Sequence, residues 1–411
     1  MIEQADVVVI GSGGLGASTA FHLANSGRRV ALVDQHALGS QTSPRAAGLT
    51  SQARGTDVMA EIAKRAVWKI RTFAAETGEA LEFVAAGALK IARFPRDVAQ
   101  IASEVVRSRR LGTGIEMIAP AEARALNPFL ETTGILGVIW SPNDIYLEPS
   151  QVPRLYARAA AKQGAVMLPH TRVTGIATHA GAVTGVQTEQ GVIHCETVVD
   201  AAGAWLRAVA ALAGGRVAAV PTRHQLLITV AFPEVAASQP ITRIIDTNVY
   251  MRPCDGGLML GGYEANPRLV PQALPIGYDV GTLELDLGVL HDLADSVREQ
   301  LPIFQRVPGE IAIREHRGGL PTMTPDGLLN VGPVPGVRGL YVAGGCCVGG
   351  LSISPAIGEA LAAWIVDGKA PMDLSALAPA RHIGMAEDAL IEACRLRYAN
   401  SYRAVGTETN G

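Results

Sequence analysis

The sequence predicts an α/β fold (α+β overall) in which a Rossmann-like βαβ domain is joined to a second domain built on a largely antiparallel sheet. Three observations predict it: a glycine-rich turn between an apolar run and a helix near the N-terminus, a second strand, glycine turn and helix after residue 339, and strands between them that do not alternate with helices.

The first element is DVVVI, Asp6 to Ile10, a short apolar run of the kind that forms a buried parallel strand. It leads directly into GSGGLG, residues 11 to 16. Gly11, Gly13 and Gly16, with Gly14 between them, fit the dinucleotide fingerprint: a tight turn, close approach of backbone to a pyrophosphate, and close packing of helix on strand. The helix that follows, about Ala17 to Ser26, aims its positive end at the phosphates. A second strand, Arg29 to Val33, ends in Asp34, eighteen residues beyond Gly16, where a carboxylate accepts hydrogen bonds from a ribose; Gln35 adjoins it. A Rossmann unit alone leaves NAD and FAD both open.

Further along, Thr56 to Glu76 has helical apolar spacing, Glu82 to Ile91 reads as extended, and Arg96 to Arg110 and Pro149 to Gln163 read as helices. Strands with turns at Gly175, Gly181 and Gly191 are expected between Ala165 and Thr197, followed by a buried strand in VVDAAGAW that breaks at Ala201, Ala202 and Gly203. Strands recur from Gln225 to Tyr263, with a hairpin signal at Asp255, Gly256 and Gly257. GLYVAGG, 339 to 345, then returns to the first pattern, and SPAIGEALAAWIV places Ser354 as N-cap and Pro355 as first helical residue. A second helix N-terminus facing the ligand can hold the negative charge of a reduced isoalloxazine ring, which an NAD enzyme does not need. The expected division is 1–80, 145–218 and 318–380 for the nucleotide domain, 81–144 and 219–317 for the substrate domain, and a partly disordered tail, 381–411, ending in GTETNG.

Composition narrows the function. Apolar residues make up 48% and charged ones 18%, so much of the chain is interior. Lys and Arg total 35 against 38 Asp and Glu, without runs of like charge, which excludes a phosphate backbone or an anionic membrane surface as partner. No apolar stretch approaches the roughly 18 residues of a bilayer span. The first strand begins within about six residues of Met1, so a signal peptide is not expected and the protein is expected in the cytoplasm. Five cysteines, at 195, 254, 346, 347 and 394, show neither metal spacing nor a disulfide framework and are expected as reduced thiols.

The stretches VVVIGSGGLGASTAFHLA, SPRAAGL, DIYLEPSQV, VVDAAGAW, PTRHQLLIT, MRPCDGGLMLGGYEANP, GGLPTMTPDGLLNVGP and GLYVAGGCCVGGLSISPAIGEALA run from Val7 to about Ile365. In order and spacing they resemble the FAD-dependent amine and amino-acid oxidoreductases, the family of D-amino-acid oxidase, glycine oxidase, monomeric sarcosine oxidase and dimethylglycine dehydrogenase. The resemblance is strongest to the sarcosine and dimethylglycine dehydrogenase branch. It implies FAD, and oxidation of a secondary or tertiary amine such as an N-methylated amino acid. Beyond the residues already named, it implies that the cofactor is held by Ser43, Arg45, Ala46, Ala47, Gly48 and Leu49, by Val173, Ala202, Gly203 and Trp205, and by Gly344, Gly345, Gly349, Gly350, Leu351 and Ser352.

Four departures from relatives sharpen the expectation. Arg45 stands where the dehydrogenase branch has a flavin-bonding histidine, and Gly319 where the sarcosine oxidase branch has its tethering cysteine, so dissociable FAD is expected. Met259 stands where that oxidase branch places an oxygen-activating lysine, which favours a dehydrogenase. The folate-binding continuation of dimethylglycine dehydrogenases is not in the sequence, so capture of released formaldehyde is not expected. As the only charged side chain between Asp34 and Arg54, Arg45 is the candidate cation against the reduced ring.

The chemistry calls for a base, a carboxylate anchor and a flavin-facing cation. By resemblance His224 and Tyr250 line the substrate pocket, with His224 the first candidate base and Tyr250 the second. Alternation along VYMRP puts Arg252 on the face of Tyr250, making it the candidate carboxylate anchor. Two other readings stand beside the amine dehydrogenase: a glycine-type oxidase producing peroxide, and a flavin-binding subunit of a hetero-oligomeric dehydrogenase. The residues name no electron acceptor.

Overall fold

The computed structural model describes residues 2–403. Two large sheets organise it. The first has six strands in the order Asn330–Pro333, Leu340–Gly344, Thr197–Asp200, Val7–Ile10, Val30–Val33 and Val166–Leu168. All its pairings are parallel except the hairpin at the Asn330–Pro333 edge. Its central strands are apolar on both faces because both faces are covered. The helices Gly14–Asn25, Gly350–Asp367, Gln151–Lys162 and Asp57–Arg71 share the core of one face. A three-stranded antiparallel sheet, Val173–His179, Ala182–Thr188 and Gly191–His194, packs on the other.

The second sheet has eight strands in the order Ile313–Gly319, His224–Thr229, Gly257–Gly262, Val249–Cys254, Ile241–Ile244, Ala88–Ala92, Gly137–Ser141 and Glu116–Ile118. Every pairing is antiparallel except Ile241–Ile244 beside Ala88–Ala92. Alternation sorts its side chains cleanly. Leu227, Val249, Met251, Leu258 and Leu260 bury against Leu290 and Leu293 of the helix Leu287–Ser296. Leu226, Ile228, Tyr250 and Met259 face the opposite way, against Ala47 and Leu49. The hairpin joining Val249–Cys254 to Gly257–Gly262 turns on Asp255 and Gly256, at φ 50° and 77°, the left-handed pair that an Asp-Gly turn supplies.

Several local expectations are corrected. The helix after the second glycine turn begins at Gly350, and Pro355 lies inside it rather than at its first position. Proline leaves the Leu351 carbonyl without its backbone donor, and the Ser354 hydroxyl donates to that carbonyl instead at 2.9 Å. Gly175 is no turn: it sits within Val173–His179 at a register shift, opposite Gln187, where an added Cβ would strike that side chain. Of Glu82 to Ile91 only the end is a strand, Ala88–Ala92. The segment after Arg381 is ordered through the helix Glu387–Ala399, whose Leu390, Cys394 and Tyr398 pack against Val220 and Met323. The GTETNG terminus lies outside the described residues. Among the described residues no helix is long and apolar enough to cross a membrane, no group of side chains could hold a metal, and the five cysteines are free.

Candidate active site

A groove opens at the carboxyl ends of Val7–Ile10 and Val30–Val33. Gly11, at φ 98°, donates its N–H to the Val33 carbonyl, and a Cβ there would strike the Ala201 carbonyl. A Cβ on Gly16 would in turn collide with the Gly11 carbonyl oxygen, so the helix can approach the strand only through glycine. Ser43 accepts the Gly14 N–H at 3.0 Å, and Asp34 accepts from the Ser12 N–H at 2.8 Å and the His36 N–H at 2.9 Å. The groove is walled by Gly11, Gly13, Asp34, Gln35, Ser43, Val173, Ala202, Gly203 and Trp205.

Thr42 belongs both to this groove and to a second chamber, between the Ala46–Leu49 segment, the turn through Gly349, Leu351 and Ser352, and the eight-stranded sheet. The sheet offers one cross-strand row to it, in which Gly261 faces Tyr250, Tyr250 faces Arg243, and Arg243 lies beside Lys90. A Cβ on Gly261 would collide with the Tyr250 hydroxyl, so glycine lets that ring lie across its neighbour toward His224. The His224 ring is held at both ends: Nε2 is 3.0 Å from the Tyr250 hydroxyl and Nδ1 2.8 Å from the Tyr398 hydroxyl. Burial pushes His224 down to about 3 and holds the phenols of Tyr250 and Tyr398 well above their usual value, so all three are neutral at working pH.

Some of the charges in the chamber are closed into ion pairs and others are not. Lys90 is closed on Glu104 at 2.6 Å, and Asp326 is closed on Arg381 at 2.8 Å. Arg243, buried, spends one amino group on the Thr50 carbonyl at 2.6 Å and stands beside Tyr402. Arg54 gives its Nε to the Ser51 carbonyl at 2.9 Å, and its amino groups lie 3.6 and 3.8 Å from where a Cβ on Gly349 would sit. Neither arginine forms an ion pair among the described residues, although buried Asp144, bonded to Thr50 and Gln52, adds its field to both. A nucleotide groove therefore opens onto a chamber lined by several guanidiniums without an ion pair among the described residues, Arg243 and Arg54 among them, by a neutral imidazole between two phenols, and by a helix N-terminus.

A model described as FAD dependent oxidoreductase matches residues 6–364. The chain belongs to this family of FAD-dependent oxidoreductases. It is 30% identical over 390 residues to mitochondrial dimethylglycine dehydrogenase from Mus musculus, covering 92% of this chain and 44% of that one. It is 30% identical to human mitochondrial sarcosine dehydrogenase, covering 90% and 41%. The chain thus spans less than half the length of either relative. Its fold is similar to the crystal structure of L-proline dehydrogenase from P. horikoshii, with a TM-score of 0.82, 24% identity, and 93% and 98% of the two chains covered.

The groove and chamber of this FAD-dependent family member suit the two halves of FAD: a crevice narrowed by obligatory glycines for the nucleotide, and a wider space ending on a helix N-terminus for the ring. The expected cofactor residues divide by role. Most line the two spaces, whereas Gly14, Gly16, Gly344, Gly345 and Gly350 do not. Gly344 leaves room for Leu206, Gly345 for Thr324 at φ 62°, and Gly350 for Cys346, so these three shape the turn rather than wall the cavity. In that turn Cys347 and Val348 both take positive φ, 44° and 69°, a strain concentrated at the chamber wall. Burial lifts the Cys347 thiol to about 11, so it is no nucleophile at neutral pH.

One expected cation is corrected, and another is located. Arg45 borders the chamber, and its guanidinium donates to the Ser40 and Gln41 carbonyls and lies against Gly281, so these bonds fasten it to its own loop. Arg252 is on the face that alternation gave it, but two residues beyond Tyr250 it reaches the underside of the Ala46–Leu49 segment. There it donates to the carbonyls of Ala47 and Pro253 at 2.7 Å and lies over the Tyr146 ring. Met259 is fully buried in the apolar cluster and does not line the chamber; Gly319 does, packed on Thr42. Sequence reasoning missed Arg54, Arg243, Tyr263, Tyr398 and Tyr402, all of which line the chamber or bond to its histidine.

Keeping His224 and His22 neutral has a stability consequence. Burial pushes both down to about 3. Between the ordinary histidine value of about 6.5 and that depressed value, the unfolded chain binds protons that the folded chain does not, so stability is full above about 6.5 and falls as pH drops. Urea midpoints should therefore be lower at pH 5 than at pH 7, and His22→Gln and His224→Gln should each shrink the difference.

Proposed function

We propose that the chain binds FAD without a covalent tether and oxidises a secondary or tertiary amino acid, an N-methylated or cyclic one, to an imine that water hydrolyses. The observation that carries this reading is the arrival of buried, unpaired Arg243 beside Tyr250 in one cross-strand row, with neutral His224 behind it. That set recognises a carboxylate and a nearby ammonium together.

Bound FAD would supply the two-electron acceptor for the hydride leaving the carbon next to nitrogen. The chain's own groups do the rest. Arg243 pairs the substrate carboxylate, fixing the molecule in the chamber. The Tyr250 hydroxyl, backed by His224 Nε2, takes the ammonium proton and frees the nitrogen lone pair. Arg54 and the N-terminus of Gly350–Asp367 present positive charge where negative charge develops on the reduced ring. Lys90 lines the chamber but is held by Glu104, so no free ammonium is offered for oxygen activation, and the reading favours a dehydrogenase.

The test is anaerobic mixing of the purified yellow protein with sarcosine, dimethylglycine, proline and glycine. Bleaching by the N-substituted amino acids, with little peroxide in air, is the expected result. Bleaching by glycine alone, or rapid peroxide formation, favours the oxidase reading, and no bleaching by any of them overturns the proposal. Acid precipitation should leave the flavin in the supernatant, since neither Arg45 nor Gly319 can form a flavin bond.

A further inference from the structure

A loop of the eight-stranded sheet reaches the nucleotide groove. Between the strand Gly257–Gly262 and the helix Leu287–Ser296 the chain leaves that sheet, and Leu274, Pro275 and Ile276 line the same groove as Asp34, Gln35 and Trp205. We propose that residues 271–278 are a strap that closes on the adenosine end of FAD, so that this loop, and not the βαβ unit alone, recognises the dinucleotide and sets how fast it leaves. This rests on the reading of the groove as the site of the FAD nucleotide.

The strap is stapled at both ends and free between them. On entry the Arg223 N–H donates to the Arg268 carbonyl at 2.9 Å and the Val270 N–H to the Pro221 carbonyl at 2.8 Å. On exit the Val280 N–H donates to the side-chain carbonyl of Gln41 at 2.9 Å, and Gly281 packs against the Arg45 guanidinium. Arg45 in turn donates to the carbonyls of Ser40 and Gln41, both of which wall the groove, so it steadies the point to which the strap is fastened. Between the staples, among the described residues, 271–278 makes only an internal hydrogen bond, from the Tyr278 N–H to the Pro275 carbonyl at 3.1 Å.

What the free stretch offers is apolar surface. Residues 271–278, PQALPIGY, carry no charge, so they cannot hold phosphates, which answer to the N-terminus of Gly14–Asn25, and the ribose answers to Asp34. The part of the nucleotide left for them is the base. Ile276 is 80% exposed, and Leu212, another lining residue of the groove, is 38% exposed. Aliphatic side chains that meet water on a groove wall gain when a flat ring is laid on them. Pro271 and Pro275 restrict the loop's own freedom, so ordering it on a ligand costs little entropy, and Gly277 at φ 73° lets the chain turn back toward Gln41. A nucleotide seated between the six-stranded sheet's turns and this loop leaves when the loop lifts.

The test compares the full-length protein with its Leu274→Ser/Ile276→Ser variant. The rise of flavin fluorescence after dilution of the holoprotein reports FAD release, and the variant should release FAD faster by about tenfold or more. Apoprotein from a riboflavin-starved host is then titrated with ADP, which carries the adenosine without the ring, and with FMN, which carries the ring without the adenosine. The variant should bind ADP about tenfold more weakly and FMN as the wild type does. An ADP affinity that is the same in both forms, or absent from both, overturns the strap whatever the release rate. Equal losses for ADP and FMN mean a general loosening of the fold and overturn it as well. If the protein takes up no FAD, the proposed function fails, and the ADP titration decides the strap separately.

Discussion

Arg243→Met should raise the KM for an N-methylated amino acid by roughly a hundredfold while the protein keeps its FAD. Arg243 is 4% exposed, makes one backbone hydrogen bond, and meets no carboxylate within ion-pairing distance among the described residues. A buried charge in that condition is poorly compensated until an anion arrives. Truncating one partner of a buried hydrogen-bonded charge pair costs about 2–5 kcal/mol, and the middle of that range is a factor of several hundred in binding. The shape of methionine keeps the side-chain volume, so the sheet is left intact. Arg252→Met is the control: its guanidinium is already spent on the carbonyls of Ala47 and Pro253, so its loss should lower thermal stability and FAD retention instead of raising KM selectively. Steady-state kinetics with a dye acceptor on the two variants separates them. Equal effects of both, or a KM shift only in Arg252→Met, would return the anchor to Arg252.

The contrast between these two arginines shows where sequence stops being legible. The nucleotide groove was readable because its requirements are local: Gly11 and Gly16 answer to backbone sterics within one strand, turn and helix, and Asp34 follows on the next strand of the same unit. The antiparallel sheet was readable as a period of two, and that period placed Tyr250 and Arg252 on the correct face. Which of them reaches the chamber depends on what lies opposite, and that is set by the segment at Ala47, about two hundred residues away. Arg243 becomes visible only through cross-strand register, since Ile241–Ile244 pairs Arg243 with Tyr250 on one side and with Lys90 on the other. Arg45 shows a related dependence on its surroundings. A lone cation among small residues does need partners, and it finds them in the carbonyls of its own loop, five and four residues back. Pro355 misled differently: a rule about first helical positions was applied to a proline that a neighbouring serine accommodates one turn further in.

A chain ending at Ala386 should retain FAD yet reduce it with substrate at least about a hundredfold more slowly, because the removed segment is a wall of the chamber and not of the groove. Residues 387–403 contribute Arg397, Ser401, Tyr402 and Arg403 to the chamber lining, and Tyr398 to His224, but none of them lines the nucleotide groove. Among the contacts that hold the segment are Leu390, Cys394 and Tyr398 against Val220 and Met323, the Asn248 side chain donating to the Ala399 carbonyl at 2.9 Å, and the Tyr402 N–H donating back to Asn248 at 3.0 Å. Asn248 can make both bonds from one side chain because it sits at φ 55° in the bend before Val249–Cys254, so the segment is pinned to the strand that carries Tyr250. Asn248→Ala should therefore act as a partial version of the truncation, loosening the wall without deleting Tyr398. Its flavin reduction should slow less than that of the truncated chain, and its FAD affinity should stay at the wild-type value. Fluorescence titration of the apoprotein with FAD, beside stopped-flow reduction, measures both quantities. Loss of FAD binding in the Asn248 variant, or full reduction rate in the truncated chain, would show that the segment serves the groove or serves nothing in the reaction.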